Sequence, residues 1–446
     1  MDRSASLSPA DVHGALSRSI LVDGFPIVLD LEASSGSNLV DQVTGERYLD
    51  LFGFFGSNAL GMNHPRMTEP AVLAELGRVA VHKPSNSDMY TVAMAEFIET
   101  FRRVLGDPRL PHLFFIEGGG LAVENALKAA FDYKSRLNES RGLSPDLGTK
   151  VIHLRHAFHG RTGYTMSLTN TDPTKTARFP KFDWPRITSP YLGTDRSGRP
   201  RPVAELEAQA LAEARRAFEV HGPDIAAFIA EPIQSEGGDH HFRPEFLQAM
   251  QELVHRNDAL FILDEVQTGV GMSGTAWAYQ QLGLEPDMVA FGKKTQVCGV
   301  MAGGKVDEIE DNVFAVSSRI NSTWGGNLTD MVRARHTLEI IESERLTERA
   351  AEVGGWLLGE LQALAERQPL VSNPRGRGLL CAFSLPDTAT RDALLAELAA
   401  RRILILGCGE RSIRFRTSLT ISVDDLSRGL AVIDETLTAL TPARAS

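Results

Sequence analysis

The stretch Leu260-Phe261-Ile262-Leu263-Asp264-Glu265, with Gln267, Gly269 and Gly271 just beyond it, decides the reading of the fold. Four consecutive apolar residues describe a strand buried on both faces, the habit of parallel sheets. An aspartate directly after such a run is costly to bury unless it is paired. It is either an N-cap or ion-pair partner within the scaffold, or it faces a cationic ligand. The glutamine and glycines that follow favour the ligand.

Working outward, short apolar runs recur at His112–Ile116, 151–154, Ile225–Ala230 and Met288–Phe291. Helical patterns separate several of them, at 121–136, 202–221 and 243–257. This alternation predicts an α/β fold with a mainly parallel sheet. The segment 169–202 is rich in Pro, Lys and Arg and has no period, which predicts a long loop.

Toward the N-terminus, apolar runs at 27–32, 38–41 and 48–52 alternate with Ser/Gly and Thr-Gly turns, which predicts an antiparallel meander. The glycine-rich, aromatic run 53–65 reads as a loop able to line a pocket. In the last third, a helical pattern at 328–344 resumes after a break and runs to about 368. A strand at 379–385, a helix at 389–401, strands at 403–406 and 412–415 and a final helix after Ser422 complete a smaller α+β lobe. The expected organisation is 1–70 as the first part of a small domain, 71–335 as a large domain and 336–446 as the rest of the small one.

With 446 residues the chain exceeds what one hydrophobic core usually serves. Its net charge of -11 argues against a nucleic-acid protein, because no basic excess is available to neutralise phosphates. Cys298, Cys381 and Cys408 are odd in number and form no C-x-x-C pair, which argues against a disulfide framework or a zinc knuckle. A reducing cytoplasm is expected. The opening residues are too polar for a secretory signal, and no apolar run is long enough to span a bilayer.

Ligands of open α/β sheets bind beyond the carboxyl ends of the strands. Four such ends carry unusual residues. Glu117-Gly118-Gly119-Gly120 precedes a helix, so it is either a tight turn or a phosphate cradle of free N–H groups. Phe158, His159 and Arg161 follow another strand; the ring can stack on a planar ligand and the guanidinium can hold a carboxylate, unless it simply faces water. Asp264 is the third. Gly292-Lys293-Lys294 is the fourth, where an apolar surround would depress one lysine and make it nucleophilic. Composition does not choose between the two lysines. Cradle, stacking ring, acid and nucleophilic amine together describe a pyridoxal 5'-phosphate site.

On these residues the chain resembles the class III aminotransferases, which are pyridoxal phosphate enzymes of fold type I. The resemblance covers nearly the whole chain, through DQVTGERYLDLFG (41–53), IEGGGLAVENALKAA (116–130), AFHGRTG (157–163), AEPIQSEGG (230–238), FILDEVQTGVGMSG (261–274), PDMVAFGKK (286–294), NSTWGGN (321–327) and IRFRTSLTIS (413–422). It implies a large domain with a mainly parallel seven-stranded sheet and a small α+β domain built from both termini. By resemblance, Lys293 carries the cofactor and later shuttles the proton, with Lys294 its competitor. Asp264 pairs with the ring nitrogen, Phe158 stacks on the ring and Gln267 contacts its hydroxyl. Gly119 and Gly120 hold the phosphate, joined by Thr323 from a neighbouring subunit, which implies a homodimer with the site at its interface. This loop has only glycine where the family usually has Ser or Thr.

The subgroup signal, FGKKTQVCGVMAGG (291–304) with NSTWGGNLTDMVRAR (321–335), implies L-lysine as donor of its ε-amino group and 2-oxoglutarate as acceptor. The products would be glutamate and 2-aminoadipate 6-semialdehyde, which cyclises to piperideine-6-carboxylate. Arg416 matches the arginine that takes the α-carboxylate, and Glu236 the glutamate that neutralises it while an ω-amine reacts. Arg161 would hold the far carboxylate, with Asn321 nearby. Thr417-Ser418 stands where relatives often have proline. Ornithine, 4-aminobutyrate or 2,4-diaminobutyrate as donor, and a related lyase or aminomutase, are the competing readings; a non-catalytic binding protein on the same fold is a more remote one.

Overall fold

The computed structural model describes residues 7–195 and 197–441. Seven strands form one sheet in the order His112–Ile116, Cys298–Ala302, Met288–Phe291, Leu260–Asp264, Ile225–Ala230, Lys150–Leu154 and Arg186–Ile187. Cys298–Ala302 runs antiparallel to both its neighbours, and the other pairings recorded in this sheet are parallel. The central strands are buried along their whole length, which is why they read as unbroken apolar runs.

Helices cover both faces. The helix Gly119–Ser140 turns Ala122, Val123, Ala126, Leu127 and Ala130 into one face of the sheet, all buried. Such small side chains let the helix sit close. On the other face, Phe246, Leu247 and Met250 of the helix Pro244–Arg256 join Phe228 and Phe261 in the core. Each large side chain so buried contributes roughly 1.5–3 kcal/mol.

The smaller lobe draws on both ends of the chain. Asn38–Val40 and Arg47–Asp50 pair antiparallel, and Ile403–Leu404 adds a third, parallel strand. A second, antiparallel sheet has the order Ser372–Arg377, Leu380–Ser384, Ser412–Arg414, Leu406–Cys408. The last helix, Val423–Leu440, starts at Ser422, whose hydroxyl accepts the Asp425 N–H at 3.0 Å.

Several expectations change. The run 27–32 is not a strand beyond a single bridge from Leu29 to Asp41. Asp30 takes the N–H groups of Glu32 and Ala33, each at 2.9 Å, and turns the chain there. The run 403–406 is divided between two sheets, and 169–202 contains the edge strand Arg186–Ile187. Pro70–Ala80 and Val92–Leu105 are helices that the pattern reading did not single out. No helix among the described residues is long and apolar enough to cross a membrane.

Candidate active site

Parallel strands end together. Asp264 lies opposite Ala290 in the ladder, so Asp264 and the Gly292–Lys293 turn leave the same edge of the sheet. The Gly118–Gly120 turn and the Phe158 loop leave there too. A cavity of 740 Å³ opens at this edge, lined by Gly118, Gly119, Gly120, Phe158, Arg161, Glu236, Asp264, Gln267 and Lys293 among others. That is the size of a cofactor-plus-substrate site. Sequence-selected residues from four separate loops thus meet in one space.

At one end, Gly118 sits at φ 101° and the helix Gly119–Ser140 begins. Its first N–H groups have no acceptor within the helix, which makes the turn an anion cradle. The approach is tight: a Cβ on Gly160, at φ 122°, would lie 2.8 Å from the Cα of Gly120. The Phe158 loop and the glycine turn therefore touch backbone to backbone. Burial pushes the Cys298 thiol above its usual pKa, and the nearby backbone of Gly118 and Lys293 only partly offsets it.

Asp264 is 6% exposed. The Nδ1–H of His159 donates to its Oδ2 at 2.8 Å, and the Val266 N–H to its Oδ1 at 3.1 Å. Close by, Glu231 accepts the N–H groups of Phe158 at 3.0 Å and Ser235 at 3.1 Å, and so fixes the loop that carries the ring. Burial, and then the charge of Asp264, push the Glu231 carboxyl well above its usual pKa.

The two adjacent lysines separate. Lys293 lines the cavity; Lys294 is 1% exposed and donates to the Gln267 carbonyl at 3.2 Å instead. Burial, then the guanidinium charges of Arg414 and Arg416, pull Lys293 down to about 8. A depressed amine facing a cavity is a nucleophile and a base.

The arginine pairing differs from expectation. Glu236 pairs with Arg414, at 2.6 Å, and not with Arg416. Its other oxygen accepts from Lys175 at 2.5 Å. Burial raises the Glu236 pKa, but the charges of Arg414 and Lys175 outweigh it and hold the carboxyl below the usual value. Arg416 is fully buried and bound by Asp239 through both terminal nitrogens. Gln267 links the two guanidinium groups: its Oε1 accepts from Arg416 Nε at 2.6 Å and from Arg414 Nη1 at 3.3 Å. The Gln267 amide nitrogen is the end left for a ligand. The reason for the exchange is register: Arg414 and Arg416 are two apart on one extended segment, and Asp239 occupies the site behind.

Asn321 and Thr323 do not line this cavity. Both are exposed, on a turn tied to the loop before the helix Val92–Leu105. There Asn86 Nδ2 donates to the Gly326 carbonyl at 3.1 Å, and the Lys83 ammonium lies 3.8 Å from the Trp324 ring centre. The sequence reading missed the roles of His159, Lys175, Glu231, Asp239 and Arg414. His159, Glu231, Asp239 and Arg414 stand within or directly beside quoted motifs, but only their partners across the fold reveal them.

The residues present fit pyridoxal phosphate. A glycine turn at a helix start suits its phosphate, an acid with a histidine behind it suits a cationic ring nitrogen, and the depressed Lys293 suits its aldehyde.

Residues 22–437 match the family described as Aminotransferase class-III. The L-lysine-epsilon aminotransferase of Mycobacterium tuberculosis is 62% identical over 437 residues, covering 97% of each chain. That of Streptomyces clavuligerus is 57% identical, covering 98% of this chain and 96% of its own. The solved structure of lysine aminotransferase from M. tuberculosis, in the internal aldimine form, superposes with a TM-score of 0.95 at 61% identity, over 98% of this chain and 100% of that one.

Proposed function

The chain belongs to the class III aminotransferases, which use pyridoxal 5'-phosphate, and from that premise we propose that it transfers the ε-amino group of L-lysine to 2-oxoglutarate. The products are 2-aminoadipate 6-semialdehyde, which cyclises to piperideine-6-carboxylate, and glutamate. This is the activity of an L-lysine 6-aminotransferase. Ornithine and 4-aminobutyrate readings are set aside because the relatives at 57–62% identity carry the lysine name.

One observation carries the substrate reading: Glu236, which lines the cavity, covers the buried Arg414 behind it. An uncovered arginine there would attract the α-carboxylate of any amino acid. Covered, it admits the apolar stem and distal amine of lysine, whose own α-carboxylate reaches Arg161. When a keto acid with two carboxylates enters, Glu236 moves aside and Arg414 holds the near carboxylate, with Arg416 behind it through Gln267.

When bound, the cofactor supplies an electron sink and carries the amino group between the two substrates. The chain's residues do the rest. With the cofactor bound, Lys293 would act as the base for the proton of the donor's amine-bearing carbon and, as the resulting ammonium, as the acid by which the keto carbon of the acceptor finally gains one. Asp264, steadied by His159, would keep the cofactor's ring nitrogen in its cationic state. Glu231 holds the loop whose Phe158 ring would stack on the cofactor.

The functional unit is a homodimer with the site at the subunit interface. Three features support this. Asn321 and Thr323 stand away from the cavity of their own chain. Met89, Tyr90 and Trp324, on and beside the segments that hold that turn, are 73%, 80% and 44% exposed. Phe55, on the cavity wall, is 51% exposed. A cytoplasmic location accords with three free, buried cysteines.

The test is a panel of amine donors with 2-oxoglutarate as acceptor. Lysine should give piperideine-6-carboxylate and an equal amount of glutamate. Preferential use of ornithine, with pyrroline as product, or turnover without 2-oxoglutarate, would replace this reading.

A further inference from the structure

Glu236 lies between two spaces. On one side is the 740 Å³ cavity. On the other is a smaller one of 300 Å³, walled by Thr171, Asp172, Lys175, Arg391, Leu395 and the end of the strand Leu406–Cys408 with Gly409. Among the described residues, Glu236 is the only one that lines both. Its carboxylate bridges two cations, with Arg414 at 2.6 Å and Lys175 at 2.5 Å.

The cations differ in freedom. Arg414 is 2% exposed on a strand of the small-lobe sheet. Lys175 has an 18% exposed side chain and sits on the four-residue helix Pro173–Thr176, in the 169–202 segment. The other charges facing the small cavity are already engaged. Arg391 donates to the carbonyls of Gly409 at 2.7 Å and Glu410 at 3.0 Å and pairs with Asp392. Asp172 accepts the Thr174 N–H at 2.9 Å, capping its own helix.

We propose that Lys175 is the second station of the Glu236 carboxylate. When a keto acid's carboxylate claims Arg414, Glu236 rotates into the small cavity and stays paired with Lys175 rather than standing alone. This inference rests on the lysine/2-oxoglutarate reading and adds its missing half, the place to which the glutamate goes. Charge supports it. Arg414, Lys175 and Glu236 sum to one positive charge, and an incoming carboxylate brings that sum to zero. Without Lys175, the displaced Glu236 would sit partly buried and unpaired, beside the like charge of Asp172. Lys175 is thus a positioning residue that acts through Glu236.

The experiment uses the holoenzyme and a Lys175→Met variant, which keeps the stem and removes the charge. Three quantities are measured: the single-turnover rate with lysine, the single-turnover rate with 2-oxoglutarate, and the calorimetric dissociation constant for glutarate, an unreactive dicarboxylate. Lys175→Met should weaken glutarate binding and slow the 2-oxoglutarate step by about tenfold or more, the size of a lost charge-assisted hydrogen bond. The lysine step should change by less than about threefold, since Glu236 remains on Arg414. Lys175→Arg should restore the wild-type pattern. In a Glu236→Gln background, Lys175→Met should have no further effect on glutarate, because no carboxylate needs holding.

Equal loss in both half-reactions overturns the proposal. So does unchanged glutarate binding, or an undiminished effect in the Glu236→Gln background, which would mean direct contact with the ligand or a folding defect. If the wild-type protein makes no glutamate from lysine, the functional reading fails by itself, and the glutarate cycle still decides the role of Lys175.

Discussion

Asp239 accepts hydrogen bonds from both terminal nitrogens of Arg416, and the two side chains are 1% and 0% exposed. Gln267 takes the remaining Nε, and the Phe415 carbonyl adds a further contact at 2.7 Å. A guanidinium so fully enclosed anchors the floor of the site. Removing its counterion while keeping the charge is expensive.

Asp239→Ala should therefore destabilise the protein by about 3 to 5 kcal/mol, the usual cost of stranding one member of a buried pair. Urea unfolding followed by circular dichroism measures it. An unfolding midpoint equal to wild type would mean that the pair contributes nothing.

Glu236→Gln should separate the two substrates. The variant leaves the Arg414 charge uncovered, so the lysine half-reaction should fall by roughly tenfold or more while the glutamate half-reaction holds or improves. Stopped-flow absorbance of each half-reaction checks this. Parallel losses in both would remove the gating role from Glu236.

Gly160→Ala should cost cofactor retention. The new Cβ at φ 122° would press within 2.8 Å of Gly120 Cα, so either the phosphate turn or the Phe158 loop has to shift. Backbone strain of this kind amounts to about 1–3 kcal/mol. The ratio of cofactor absorbance to protein after gel filtration should fall; a full complement would show that the two loops have room to separate.

Cofactor uptake by the apoprotein should depend on pH through the amine of Lys293. Below about 8 that amine is mainly an ammonium and has no lone pair to offer; above it the neutral form dominates. The uptake rate should rise through this range. Burial is the main cause of the depression and Arg414 the next, so Arg414→Ala should raise the lysine pKa and move the rise to higher pH. A displacement to lower pH would contradict the sign.

Local pattern revealed what local physics determines. Ile225–Ala230 and Leu260–Asp264 were legible because strands buried on both faces must be apolar throughout. Cys298–Ala302 was not, because Gly299 leaves its place to the Phe114 carbonyl, 2.2 Å from where a Cβ would stand, and the strand runs against its neighbours. The strand-end residues Gly119, Phe158, Asp264 and Lys293 could be selected individually since each is odd for its position. Which arginine meets Glu236 could not be read, since Arg414 lies 178 residues away and differs from Arg416 only in register. Lys294 beside Lys293 posed the same problem, and only the direction of each side chain separates them.

Reductive trapping bears most directly on the whole reading. Borohydride treatment of the holoenzyme should fix the cofactor to its lysine, and peptide mass mapping should find the adduct on Lys293. An adduct on Lys294, or a cofactor that washes away unattached, would contradict the assignment of the cavity and with it the proposed chemistry.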